Sequence, residues 1–388
     1  KIRMNQFQFQ TTANIISGIG SIQQLATLIK DAQYKKILLV TDPGMLQHQL
    51  HVPILDIFQD VSVEYAIYAD VQADPPEHIM LEAVAFAKQH QVDAIIGFGG
   101  GSSLDVAKVI ALLADPRQNQ SIQDIYGVNN AKAPRLPLIL IPTTAGTGSE
   151  VTPISIVTTG ETTKTGIVSP ILYADTAILD ATFTTGLPAH ITAATGIDAM
   201  VHAIEAYTSK IKKNFYADML AKQALKLLNK NLKPVLVNGQ DLEARQNMLL
   251  GSMLAGQAFA NAPVGAVHAL AYPLGGHFHL SHGHTNALVL LEVLKFNAPD
   301  AKHLYAELMQ WLDPYSKGSV DGLCDLFIDH IQRHLDGSGL TLKLRDLGVP
   351  EHMLETLAHD AMLQTRLLQN NPRKMTYEHA LKIYQAIY

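Results

Sequence analysis

The strongest constraint on this chain is a change of rhythm part-way along it. From about Phe7 to Asp180, short β-branched runs alternate with helical patterns. Lys36–Thr41, Ser62–Tyr68, Asp93–Phe98, Leu136–Ile141 and Ala177–Asp180 are the expected strands, with helices over Ile22–Ala32 and Pro76–His90. Such alternation predicts a mostly parallel α/β sheet. The strands are apolar throughout rather than at every second residue, as expected where both faces are covered. From about Pro188 the strand signal fades. Helical periodicity takes over in Ile191–Ser209, Phe215–Asn238, Leu242–Ala260, Asn286–Phe296, Ala301–Leu312, Leu323–Leu335 and Tyr377–Ala386. Pro188 suits a first helical turn and Thr376 an N-cap. The expected organisation is an α/β domain over 1–184 and an all-α domain over 185–388.

Composition narrows the function. Apolar residues make up 47% of the 388 and charged residues 16%, enough for large cores and too little charge for disorder. The net charge is −6 with no Lys/Arg run, which argues against nucleic acid or an anionic membrane as partner. The one cysteine, Cys324, cannot form an intrachain disulfide and fits a reducing, cytoplasmic setting. No apolar stretch reaches the ~18 residues of a membrane span. Lys1–Gln10 is polar, so no leader is expected there.

Two loops after expected strands suggest an anionic ligand. Gly99-Gly100-Gly101-Ser102-Ser103 joins a strand to a helix start, where glycines allow close approach and free N–H groups suit a pyrophosphate. The spacing is not GxGxxG, and a plain βα turn is the bland reading. Pro142–Glu150 (PTTAGTGSE) follows a second strand and places hydroxyls at its carboxyl end. Asp42 ends the first strong strand. If a dinucleotide binds, an acid there accepts from the adenosine ribose and favours NAD over NADP. Otherwise it is a turn aspartate.

A second constellation suggests a metal. Asp198 and His202 are i and i+4 on an expected helix, so a carboxylate and an imidazole can meet one cation. Alone, that pair reads as helix surface. His268, His277, His279, His282 and His284 then fall within 17 residues among small and apolar neighbours. Spacing leaves open which of the five are ligands. A carboxylate with imidazoles and no thiolate matches an open, catalytic site, and suits Fe2+ or Zn2+.

In order along the chain, Gly99–Lys108 (GGGSSLDVAK), Pro142–Glu150, Lys164 with Ser169-Pro170, Leu187-Pro188, Thr195–Tyr207 (TGIDAMVHAIEAY), His268 through Asn286 and Gln364–Pro372 resemble the iron-containing (group III) alcohol dehydrogenases. These belong to the dehydroquinate synthase-like superfamily, and the likeness covers essentially the whole chain. It implies an NAD-binding α/β domain, a helical metal-binding domain, and an active site in the cleft between. It implies metal ligands Asp198, His202, His268 and His282, holding Fe2+ foremost, with Zn2+ suited to the same donors. Implied NAD contacts are Asp42, Asp74, Gly99, Gly100, Gly101, Ser102, Thr143, Thr144, Thr147, Ser149 and Lys164. A homodimer or larger homo-oligomer acting on a small alcohol or aldehyde is the implied assembly.

The chain departs from the family where a second histidine commonly follows the third ligand; here stands Tyr272. Ser281 replaces a common proline, and Leu291-Glu292 a common Pro-His. His277 or Tyr272 is the expected substitute for a proton relay, and His279 and His284 are expected to be structural. The rival readings are a glycerol dehydrogenase-like enzyme, a dehydroquinate synthase-like lyase using NAD transiently, and a nucleotide- or metal-binding module without catalysis. Asp198 in place of a glutamate argues against the lyase, and four ligands beside two phosphate-type loops against the module.

Overall fold

The structure, a computed structural model, describes residues 6–388. They form two compact units: Gln10–Gly186, and Leu187–Tyr388 together with the described residues up to Phe9.

In the first unit the strands are β1 (Asn14–Ser17), β2 (Lys36–Val40), β3 (Glu64–Tyr68), β4 (Ala94–Gly99), β5 (Gly127–Val128), β6 (Leu138–Pro142), β7 (Ile154–Thr158), β8 (Lys164–Val168) and β9 (Thr176–Leu179). The helices are α1 (Gln24–Ala32), α2 (Pro43–Gln47), α3 (Val52–Asp60), α4 (Glu77–Gln89), α5 (Gly101–Leu113) and α6 (Ile122–Ile125). Six strands build one wholly parallel sheet in the order β1-β9-β6-β4-β2-β3. Leu38, Val40, Ile95, Leu138 and Leu140 enter one core with α4 and α5. Their neighbours Ile37, Leu39, Ile96, Ile139 and Ile141 enter another with α1 and α3. Successive side chains point to opposite faces, so a sheet covered on both sides needs apolar residues at every position.

From β2 the chain steps to β3 on one side and returns to β4 on the other. The strand order thus reverses between β2 and β4, and ligands of open α/β sheets bind at the carboxyl ends flanking such a reversal. A second sheet, β5-β8-β7, holds the β7–β8 hairpin. Periodicity does not announce it, nor the edge strand β1, because both are short and mostly half-exposed or exposed.

The second unit is helical: α7 (Ala189–Tyr207), α8 (Phe215–Val237), α9 (Leu242–Asn261), α10 (Ala266–Phe278), α11 (His282–Leu312), α12 (Val320–Asp336), α13 (Leu354–Met362), α14 (Thr365–Leu368) and α15 (Tyr377–Ala386). Thr376 caps α15 as expected, whereas Pro188 stands at the N-cap of α7 instead of inside its first turn. The helices expected on either side of Pro299 are one, α11. Proline costs a helix its bond to the carbonyl four residues back. That carbonyl belongs to Lys295, exposed like Pro299, so water can satisfy it.

α7 is the central helix, packed against α8, α9 and α11. Its contact with α11 is backbone against backbone. A Cβ on Gly283, in the first turn of α11, would overlap the Ala194 carbonyl oxygen and lie 2.6 Å from its carbon. Only glycine allows the approach.

Candidate metal centre and cofactor loops

Asp198, His202 and Glu205 lie at i, i+4 and i+7 on α7, hence on one face, and all three are buried. An acid–imidazole pair at that spacing is usually a solvated helix surface. Here the surrounding helices enclose it. α10 contributes His268, and the first residue of α11 is His282. The ligating atoms of Asp198, His202, His268 and His282 all lie within 4.8 Å of one another. Asp198 Oδ1 is the hub, 3.4 Å from His202 Nε2, 3.3 Å from His282 Nε2 and 3.8 Å from His268 Nε2. Burial opposes ionisation of Asp198, but His202, His282 and His268 together hold it well below the usual carboxylate range. Three imidazoles aimed at one carboxylate oxygen fit a divalent cation of the imidazole-preferring kind.

Asn286 follows His282 by one turn and donates from Nδ2 to Asp198 Oδ1 at 2.6 Å, while its own Oδ1 is buried without a partner among the described residues. Phe259 of α9 stacks on His202, with ring centroids 4.3 Å apart. Tyr272, one turn beyond His268, lies with its ring 6.2 Å from that of His282 and 6.3 Å from that of His268. Sequence reasoning overlooks Asn286, Phe259 and Glu205. The spacing of Asn286 from His282 and of Glu205 from His202 is a readable signal; Phe259 carries none.

The remaining histidines are sorted by what they touch. His277 Nε2 meets Asp360 Oδ2 of α13 at 2.5 Å. Nine residues, or two and a half turns, put it on the face of α10 opposite His268. The structure therefore does not bring His277, an expected relay, to the ligand cluster, whereas Tyr272 is there. His279 ends α10 in the left-handed conformation, and His284 Nε2 reaches the Thr341 carbonyl at 2.6 Å.

In the first unit, the expected cofactor residues gather at the reversal of strand order. Asp42 follows β2 and caps α2 through Oδ1, accepting from Met45 N at 3.1 Å. Its Oδ2 lies 3.3 Å from where a Cβ on Gly99 would stand. Gly99 has φ +148 and Ser103 Oγ just 2.8 Å from that same point, so no larger residue fits. A Cβ on Gly101 would fall 2.8 Å from Thr147 Cγ2, and one on Gly100 3.8 Å from Thr144. The two loops are thus in contact, and α5 begins at Gly101 with no side-chain cap on its N-terminal N–H groups. Ser102 is half-buried in that first turn. Thr143 Oγ1 is buried with no hydrogen-bond partner among the described residues. Free N–H groups, an orphaned hydroxyl and an acid at the strand-order reversal fit a dinucleotide.

Two expected contacts are engaged within the protein. Ser149 Oγ donates to Asp105 Oδ1 at 2.7 Å and accepts from Lys108 Nζ at 2.8 Å, so its hydroxyl is committed to α5. Lys108, wholly buried, also donates to Thr152 Oγ1 at 3.2 Å and to the Ile154 carbonyl at 2.8 Å. Burial lowers its ammonium to about 8, against Asp105 and Glu150, and burial raises the Glu150 carboxyl to about 7. Lys164, on β8, pairs with exposed Asp74 at 2.8 Å. Asp74 holds a left-handed φ of 48.

Residues 12–181 match the model of the iron-containing alcohol dehydrogenases, and residues 192–388 that of the Fe-containing alcohol dehydrogenase family, C-terminal. The chain belongs to the iron-containing alcohol dehydrogenase family. Its relatives in that family include long-chain-alcohol dehydrogenase 1 of Geobacillus thermodenitrificans, 38% identical over 96% of this chain and 94% of that protein. The NAD-dependent methanol dehydrogenase of Bacillus methanolicus is 33% identical over 97% and 98%. A crystal structure of 1,3-propanediol oxidoreductase superimposes with a TM-score of 0.94 at 32% identity, over 99% of this chain and all of that one. The parallel-sheet unit followed by a helical unit is the fold of this alcohol dehydrogenase family.

The glycine loop offers a direct test of the cofactor assignment. Gly101→Val places branched methyls against Thr147 and beside the N–H groups that start α5. NAD affinity should fall on the order of 100-fold, the scale of losing a well-made anion site of about 3 kcal/mol. Zn2+ affinity should be unchanged, because all four metal donors lie in the other unit. Calorimetric titration with NAD reads this; unchanged NAD affinity would refute it.

Proposed function

We propose that this chain is an NAD-dependent, metal-containing alcohol dehydrogenase that interconverts a small alcohol and its aldehyde or ketone, with Asp198, His202, His268 and His282 as the metal ligands. The observation that carries this is the buried convergence of one carboxylate and three imidazole nitrogens on a single point. A divalent cation held there would supply Lewis acidity to the substrate oxygen, and bound NAD would supply the hydride acceptor. Asp198, His202, His268 and His282 would hold that cation and orient it. Phe259, stacked on His202, and the apolar flanks of α7 and α10 keep water from the reacting oxygen. Tyr272, beside His282 and His268, stands where the family commonly has histidine, and its hydroxyl carries the alcohol proton outward. Asp42 accepts from the ribose hydroxyls, the α5 N-terminus holds the pyrophosphate, and Lys164, steered by Asp74, adds a positive charge.

Methanol, long-chain alcohols and 1,3-propanediol appear in the names of the relatives above, which favours primary alcohols and diols here. A single cysteine supports a cytoplasmic setting, and among the described residues no helix is long and apolar enough to cross a membrane. We assign a homodimer or larger assembly, to be read by light scattering.

The test is NADH formation by Fe2+- or Zn2+-loaded protein across primary alcohols, diols, glycerol and hydroxy acids. Turnover with primary alcohols, faster with NAD than NADP and about tenfold slower in Tyr272→Phe, is expected. Preference for glycerol would favour the glycerol dehydrogenase-like rival. Absence of net NADH turnover with every alcohol and aldehyde would overturn the reading.

A further inference from the structure

Glu205 is the third ionisable residue on the metal-facing side of α7, and its two oxygens do different things. Oε1 meets His268 Nδ1 at 2.6 Å. Oε2 accepts the backbone N–H groups of Gly265, at 3.0 Å, and Val267, at 3.1 Å. These belong to the start of α10, whose N-cap, Gly265, has no side chain to cap with. A carboxylate only accepts, so in the neutral ring the hydrogen of His268 lies on Nδ1 and the Nε2 lone pair faces Asp198. The segment is closely packed: a Cβ on Gly265 would lie 3.2 Å from both Glu205 Oε2 and the Asn371 backbone.

We propose that Glu205 is a positioning residue of the metal centre. It fixes His268 as the Nδ1–H tautomer, pins the helix turn that carries that imidazole, and supplies the second buried negative charge that balances a divalent cation. Asp198 provides the first charge by direct contact, Glu205 the second through the ring. Hydrogen bonds of this kind strengthen an imidazole as a ligand and fix its direction. The inference rests on the metal reading above. A helix cap alone would account for the bonds of Oε2 but not for the imidazole bond of Oε1.

Glu205→Gln keeps the size and removes the charge. Its amide oxygen can still accept from the helix start, but the NH2 left facing the imidazole only donates, so the Nδ1–H of His268 loses its acceptor. Zn2+ affinity, read by competition with a chromophoric chelator, should fall about 10- to 100-fold. The visible absorption of the Co2+-loaded protein should shift, and the melting temperature of the metal-free protein should stay near wild type. Zn2+ affinity within twofold of wild type would overturn the proposal, as would a fall in metal-free melting temperature with metal affinity unchanged. If the variant does not fold, wild-type protein labelled with 15N-histidine and loaded with Zn2+ decides. A downfield Nδ1–H signal that vanishes in His268→Gln is expected, and its absence overturns the proposal. Wild-type Zn2+ affinity no better than that of Asp198→Ala would end the metal reading itself, a result distinct from a failure at Glu205 alone.

Discussion

Asp198→Ala should lower kcat by roughly 10³-fold, the several kcal/mol that a Lewis acid contributes, while leaving NAD affinity within about twofold. Asp198 Oδ1 is the atom all three imidazoles approach. Without it the site keeps three neutral donors and no negative charge in contact with the cation. The change also takes the acceptor from Asn286 Nδ2, which otherwise meets the ring nitrogens of His268 and His282 at 3.4 Å. The glycine loops belong wholly to Gln10–Gly186, whereas Asp198 belongs to the other unit. Steady-state turnover and NAD titration measure these two quantities, and metal content after dialysis reports the lost donor. Turnover near wild type would remove Asp198 from the metal shell; loss of NAD affinity alongside turnover would indicate general unfolding.

Gly283→Ala is the second large effect, from the smallest change of volume. The added methyl overlaps the backbone of Ala194, which cannot rotate aside as a side chain could. α11 must move away from α7, and overpacking of this kind costs about 1–3 kcal/mol. A unit the size of Leu187–Tyr388 loses on the order of 2–4 °C in Tm per kcal/mol. The greater consequence is chemical. Gly283 adjoins His282, and Ala194 stands one turn before Asp198. The shift therefore separates two ligands 3.3 Å apart, and Zn2+ affinity should drop at least about tenfold. Scanning calorimetry with and without metal reads both. A Tm and an affinity equal to wild type would show that α7 and α11 do not depend on this approach.

What the sequence discloses follows from how each signal arises. The buried strands β2, β4 and β6 are legible because both faces are covered, and a short, unbroken apolar run suits little besides a strand between two layers of helices. The hairpin β7–β8 is not, since short half-exposed strands resemble loops in composition. Pro299 looks like a break because a sequence cannot show that the carbonyl it orphans faces water. Asp198 and His202 are legible as a pair from helical spacing, and the family resemblance selects His268 and His282 from five neighbouring histidines. Spacing alone cannot make that selection. It depends on α10 ending at Phe278 and α11 beginning at His282, which brings residues fourteen apart to one point. His277 illustrates the limit: its residue type suggests a relay, but helical phase turns it to Asp360. Ser149 belongs to a hydroxyl-rich loop that invites a cofactor role, yet the ammonium beneath it has already claimed the oxygen.

That ammonium has a consequence for recognition. Lys108 lies on α5, two turns in from the glycine loop, and grips both Ser149, at the end of the PTTAGTGSE loop, and the turn into β7. The glycine loop and the PTTAGTGSE loop, the two walls of the proposed nucleotide site, are thereby tied to one buried side chain. They present a surface already shaped when the dinucleotide arrives, so little disorder has to be frozen out on docking. Free and nucleotide-bound forms should then differ in this region by less than an ångström, with adaptation left to side chains at the rim.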